Sequence, residues 1–148
     1  MEAFTRCLSA VDGFERVLFM DEAVFSSAQV TNKVWFGRQR ERVVVQKKKA
    51  GFKAIAVAAA IDMDGKIAGL HICDHSIDRF SYVKFLEDVH KNNDNKDCIM
   101  LVDNLAVHRT KLVRDYAASH GIELLFNGTY SSNYNPIERL WAWSKHRF

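Results

Sequence analysis

The chain has 148 residues, 48% hydrophobic and 26% charged, which is enough to bury one good core and too little for two. No stretch approaches the roughly 18 uninterrupted apolar residues of a membrane span, and Met1 to Ala10 lack the apolar segment of a secretory signal. Cys7, Cys73 and Cys98 are odd in number and lack paired spacing, which argues against a disulfide framework or a thiolate zinc site. A single soluble domain is expected, intracellular and in a reducing compartment: the nucleus of a eukaryote or the cytoplasm of a bacterium. The net charge of +3 is unevenly placed, since Arg38 to Lys53 carry a local balance of +6 and the remainder −3. A polyanion would meet one attractive segment, made of Arg38, Arg40, Arg42, Lys47, Lys48, Lys49 and Lys53, on a slightly acidic body. A solvated, charged hairpin is the competing reading of that segment.

In chain order, Val17-Leu18-Phe19-Met20 followed by Asp21-Glu22 reads as a buried strand that ends in acid. Val34 to Gly37 and Arg42 to Val45 suggest an extended segment or a hairpin turning near Gly37. The alanine-rich run Lys53 to Ile61 has helical propensity. It is short, however, and Asp62-Met63-Asp64-Gly65 follows it as a turn into Lys66 to Cys73, so a strand hairpin is expected. Asp78 or Ser81 opens a helix whose inner face is Tyr82, Phe85, Leu86 and Val89. After the polar connection Asn92 to Asp97, Cys98 to Val102 is a buried strand closed by Asp103-Asn104. Thr110 then caps a helix with apolar positions Leu112, Val113, Tyr116 and Ala117, and Gly121 fits the left-handed position beyond its end. Ile122 to Phe126 is a strand and Asn127 to Tyr134 a polar loop. Asn135 caps a last helix with Pro136 at its first position and Ile137, Leu140, Trp141 and Ser144 inward. Antiparallel strands followed by strands alternating with helices predict a mixed α/β sheet.

Three acids stand out against this frame. Asp21 and Asp103 follow apolar runs that should lie side by side at the sheet centre, and Glu138 sits in the first turn of the last helix. Each has an ordinary reading: a solvated strand end, an Asp-Asn turn, or a surface acid complementing the helix dipole. Together they make a hard, all-oxygen donor set suited to Mg²⁺ or Mn²⁺ rather than zinc. Carboxylates from two strand ends and a helix can hold two such ions about 4 Å apart for displacement at a phosphodiester.

Val102-Asp103-Asn104-Leu105-Ala106-Val107-His108 resembles the second-aspartate motif of the catalytic domain of mariner-type DDE transposases. Tyr130 to Trp141, with Asn135-Pro136-Ile137-Glu138 at its centre, resembles that family's third motif, and 34 residues separate Asp103 from Glu138, as in one large branch of the family. Phe19-Met20-Asp21-Glu22 and Trp35 match the first motif more loosely. The resemblance spans about Arg16 to the end and implies a ribonuclease H-like fold. It implies that Asp21, Asp103 and Glu138 are the catalytic, metal-binding acids, holding two Mg²⁺ or Mn²⁺ ions for DNA cleavage and strand transfer with no small-molecule cofactor. It also implies orienting or phosphate-contacting work for Asn104, His108 and Asn135, although His108 is equally readable as a helix-start histidine bonded to backbone. The basic segment falls where relatives carry an insertion that touches DNA and the partner subunit, so DNA ends, target DNA and a homodimer are the implied partners.

The chain departs from the family in two ways. About fifteen residues precede the first strand, too few for a helix-turn-helix, so residues 1–148 are expected to be one catalytic domain with its core at about 16–148 and no sequence reading of its own. Ser132-Asn133-Tyr134 stands where the family has Pro-x-Leu, and the chain stops ten residues after Glu138. Two alternatives follow: an inactive or domesticated remnant that binds nucleic acid or protein, and a stand-alone ribonuclease H-like nuclease. His71, Cys73 and His75 share a strand face but lack zinc spacing. Asp62 and Asp64 begin like a calcium loop, yet Cys73 stands where the twelfth-position Glu belongs, so a hairpin turn is preferred. Trp141 and Trp143 read as core and flank of the last helix.

Overall fold

Alternation along the first strand sorts the molecule into two layers around one sheet. In a computed structural model that describes residues 5–6, 9, 16–26, 54–127 and 135–147, β1 (Val17–Phe25) buries Leu18 and Met20 on one face and Ala23 and Phe25 on the other. β1 pairs antiparallel with β2 (Ile55–Asp62), which pairs antiparallel with β3 (Ile67–Cys73). On its other side β1 runs parallel to β4 (Cys98–Val102), which runs parallel to β5 (Ile122–Phe126). The order is β3-β2-β1-β4-β5, so the strands carrying Asp21 and Asp103 are neighbours at the centre, as expected.

The alanine-rich run is a strand. Ala56 to Ala60 are all buried, and two-sided burial in the sheet overrides alanine's preference for helix. Asp62 closes the hairpin, its Oδ1 accepting from the backbone N–H groups of Asp64 (3.0 Å) and Lys66 (2.9 Å). α1 (Arg79–Asn92) opens at Asp78 rather than Ser81, because the Asp78 side chain accepts from Phe80 and Ser81 N–H. Its Tyr82, Phe85, Leu86 and Val89 are fully buried against the sheet. The approach is closest at Gly69 of β3, where a Cβ atom would lie 2.4 Å from Val89 Cγ2.

After β4 comes a 3₁₀ turn, Ala106–Arg109, which the sequence reading did not separate from the next helix. It alters the start of α2 (Lys111–Ser119): Thr110 sits at the N-cap position but makes no cap bond, and its Oγ1 donates to Val107 O at 2.8 Å. Val113 and Ala117 face the core as expected, but Leu112 is 41% exposed. Gly121 takes φ +65° just beyond the helix. On the opposite face of the sheet α3 (Ile137–Arg147) packs Ile137 and Trp141 against Ala23, Phe25, Val57, Ala59 and Ile61. Trp141 meets Phe25 edge-on at 6.1 Å, while Trp143 is exposed, matching the core and flank roles expected of them. No helix among the described residues is long and apolar enough to cross a membrane. The expected extended segment at Val34 to Val45 and the basic residues Arg38, Arg40, Arg42, Lys47, Lys48, Lys49 and Lys53 lie outside the described residues, as do Trp35 and residues 128–134.

Candidate active site

Asp21 does not end its strand as expected: β1 runs on to Phe25, because Ala23 and Phe25 bury against α3, so Asp21 occupies its middle, opposite Ala59 of β2, and by alternation faces α3. Two side chains of the last motif bond to this part of β1. Trp141 Nε1 donates to Asp21 Oδ2 at 3.1 Å. Asn135 Nδ2 donates to Met20 O at 3.0 Å, and Asn135 Oδ1 accepts from Ile137 N–H at 3.3 Å. Asn135 therefore does two things: it caps α3 and ties that end of the helix to the strand residue before Asp21. Glu138, three residues on, lies in the first turn of that helix.

The Asp21 carboxyl is raised from an ordinary 3.8 to about 6, chiefly by burial, against a backbone hydrogen bond from Glu22 and with the charges of Glu138, Asp103 and Glu22 adding to the rise. The three acids singled out by sequence thus share one field, with a fourth acid beside them.

Asp103 follows the last residue of β4. Its Oδ1 accepts from Leu105 N–H at 3.1 Å and lies 2.9 Å from His108 Nδ1. Burial works to raise this carboxyl, but the His108 hydrogen bond, the Leu105 N–H and the His108 charge together hold it below the usual range.

His108 is fully buried, brought back under the strand end by the 3₁₀ turn. Its Nε2 lies 3.0 Å from Glu22 Oε1, and its ring lies 4.4 Å from that of Tyr82. Burial opposes the charged ring, yet bonds to Asp103 and Glu22 raise its pKa to about 9. Only an imidazolium can donate from both nitrogens to two carboxylates. Ligand atoms of Glu22, Asp103 and His108 lie within 4.8 Å of one another. Asp21, Asp103 and Glu138 are an all-oxygen set, harder in character, but among the described residues their ligand atoms are not gathered as tightly.

Asn104 is exposed and ties strand ends together, with Nδ2 donating to Asn127 O at 2.6 Å and Oδ1 accepting from Arg109. The Arg109 guanidinium also lies over the Phe126 ring at 5.2 Å. Glu22 is the residue sequence reasoning missed. The signal available was its place beside Asp21 in a strand, which puts it on the opposite face, where a buried acid requires a partner. The alternative ligands His71, Cys73 and His75 do not gather: Cys73 is buried, His71 lies 4.0 Å from Asp88, and His75 bonds Asp74 at 2.8 Å.

No curated protein sequence matches the chain. Among solved structures the fold is similar to the Mos1 mariner paired-end complex with Mn, with TM-score 0.74 and 17% identity over 99% of this chain and 47% of that one. It is similar to the Mos1 strand transfer complex (0.72, 16%, 99% and 46%) and to the catalytic domain of Mos1 mariner transposase (0.66, 16%, 99% and 68%). The chain thus spans about half the length of the longer Mos1 chains it matches, and the shared architecture is their ribonuclease H-like fold. Residues 16–148, which include every acid of the site, match the DDE superfamily endonuclease family, and the chain belongs to that family.

Proposed function

We propose that the chain is the catalytic domain of a mariner-type transposase and that Asp21, Asp103 and Glu138 hold two Mg²⁺ or Mn²⁺ ions for cutting and rejoining DNA. The observation that carries this reading is the match of residues 16–148 to the endonuclease family, with burial first and then the charges of Glu138 and Asp103 raising the Asp21 carboxyl. Acids that repel one another at family motif positions form a site awaiting positive charge. The chemistry such ions supply is activation of an attacking oxygen and stabilisation of a leaving one at a phosphodiester.

The chain's own residues prepare that site. Trp141 holds one Asp21 oxygen and Asn135 anchors the helix that carries Glu138. His108 and Leu105 N–H hold one oxygen of Asp103. The Mos1 neighbours include a paired-end complex with the left transposon end and a catalytic domain with Mg. By extension the substrates here are DNA ends and a target, acted on by a homodimer, with Arg38 to Lys53 supplying phosphate contacts that do not depend on sequence.

The test is incubation with nicked and hairpin DNA in Mn²⁺. Strand cleavage followed by joining of the freed 3′-hydroxyl is expected, and Asp103→Asn should abolish both. Cleavage that survives this change refutes the assignment, whereas hydrolysis without joining favours a stand-alone nuclease.

A further inference from the structure

We infer that Glu22 is a positioning residue for the metal-binding acids, acting through His108 on Asp103. The inference rests on the proposed metal site and adds a residue to its support. The Asp103 side chain is about half exposed and lies just beyond its strand, where a carboxylate would ordinarily sample several rotamers. One imidazole nitrogen engages its Oδ1, and the other engages Glu22 Oε1.

The ring that makes this bridge is itself held. It is fully buried, Tyr82 lies against it at 4.4 Å, and the Tyr82 hydroxyl reaches Met20 Sδ at 3.5 Å. Glu22, with a side chain 14% exposed, supplies the bond that keeps Nε2 engaged and the ring turned so that Nδ1 meets Asp103. The contact links residues 86 apart, across the face of the sheet opposite α3. Asp21 and Glu22 are consecutive, so β1 sends one carboxylate into the metal site and the next beneath it. Partners of this kind set the orientation of ligands, and their loss typically weakens metal binding about 10- to 100-fold.

The experiment measures Mn²⁺ affinity of the full chain by calorimetry and by electron paramagnetic resonance of free Mn²⁺, with folding checked by circular dichroism. Glu22→Ala should weaken Mn²⁺ binding about 10- to 100-fold. Glu22→Met, which keeps the volume without an acceptor, should do the same and serves if the alanine variant does not fold. Glu22→Gln, whose amide oxygen can still accept from Nε2–H, should recover most of the affinity. Folded Ala or Met variants with wild-type affinity overturn the inference, and so does a Gln variant no better than Met. A merely structural role would lower the melting temperature of these variants and leave the affinity of the folded protein unchanged. Wild-type protein without Asp21-dependent Mn²⁺ binding overturns the metal site and this inference together, whereas wild-type binding with unaltered variants overturns this inference alone.

Discussion

Replacing Asp21 by Asn should stabilise the metal-free protein while removing its response to Mn²⁺. The Asp21 carboxyl titrates near 6 in the fold instead of 3.8, mainly because it is buried and then because of Glu138, Asp103 and Glu22. Above that pH the fold holds an ionised group it would rather have protonated. A displacement of this size corresponds to about 3 kcal/mol at most. Asp21 is partly open to solvent, so screening reduces the expected gain to about 1.5 kcal/mol. In a chain of this size that raises the melting temperature by about 3–6 °C. Asparagine keeps an oxygen for the Trp141 N–H, so packing is conserved. Because the native state binds more protons than the unfolded one between 3.8 and about 6, wild-type stability falls as pH rises through that window. The gap between the two proteins should therefore be absent below about pH 4, open between 4 and 6, and be full at pH 8. Mn²⁺ at about 100 times its dissociation constant should then add about 2.7 kcal/mol to the wild type and far less to the variant. Calorimetric melts at pH 4 and 8, with and without Mn²⁺, decide the matter. A variant that melts at or below the wild type at pH 8 without metal, or that gains as much from Mn²⁺, refutes the reasoning.

Two further substitutions probe the frame around the site. Gly69→Ala places a methyl 2.4 Å from Val89 Cγ2 and 3.2 Å from Phe85 Cε2, so urea denaturation should show a loss of about 1–3 kcal/mol from overpacking. Asn135→Ala removes the cap of α3 and the bond to Met20 O; a loss of about 1–2 kcal/mol is expected, with weaker Mn²⁺ binding because Glu138 rides on that helix. An Asn135→Ala protein with unchanged Mn²⁺ affinity would show that the helix is fixed by Ile137 and Trp141 alone.

The sheet was legible because its elements are bounded by local signals. Asp62 to Gly65 is a turn whatever lies around it, and the stripe Tyr82, Phe85, Leu86 and Val89 buries as its period requires. The alanine-rich run was harder, since its propensity points to helix, and only its length and the following turn pointed to strand. At α2 Thr110 takes the expected cap position, but the 3₁₀ turn before Lys111 engages its hydroxyl, and Leu112 falls outside the narrow buried stripe of Val113 and Ala117. At the site, Asn135-Pro136-Ile137-Glu138 marked the helix that carries the third acid because cap, first position and apolar stripe are all local.

Glu22 had no such local mark, and its case shows where reading charge along a chain runs out. Asp21 and Glu22 are chemically alike and adjacent, and both sit in one strand. Period-two geometry sends them to opposite faces, and what distinguishes them is then their surroundings. Asp21 meets a neutral indole donor, and burial first, then the charges of Glu138, Asp103 and Glu22, leave it raised to about 6. Glu22 meets His108, a ring held in its charged form to about pH 9 by two carboxylates. Asp21 thus has acids for neighbours on its face of the sheet, whereas Glu22 has a histidine on the other. The motif spacing selects Asp103 and His108 together because His108 comes only five positions after Asp103. Their tie to Glu22 depends instead on β1 and β4 lying parallel and adjacent, which no local pattern records. The pairing of strands is therefore what gives two consecutive acids different work.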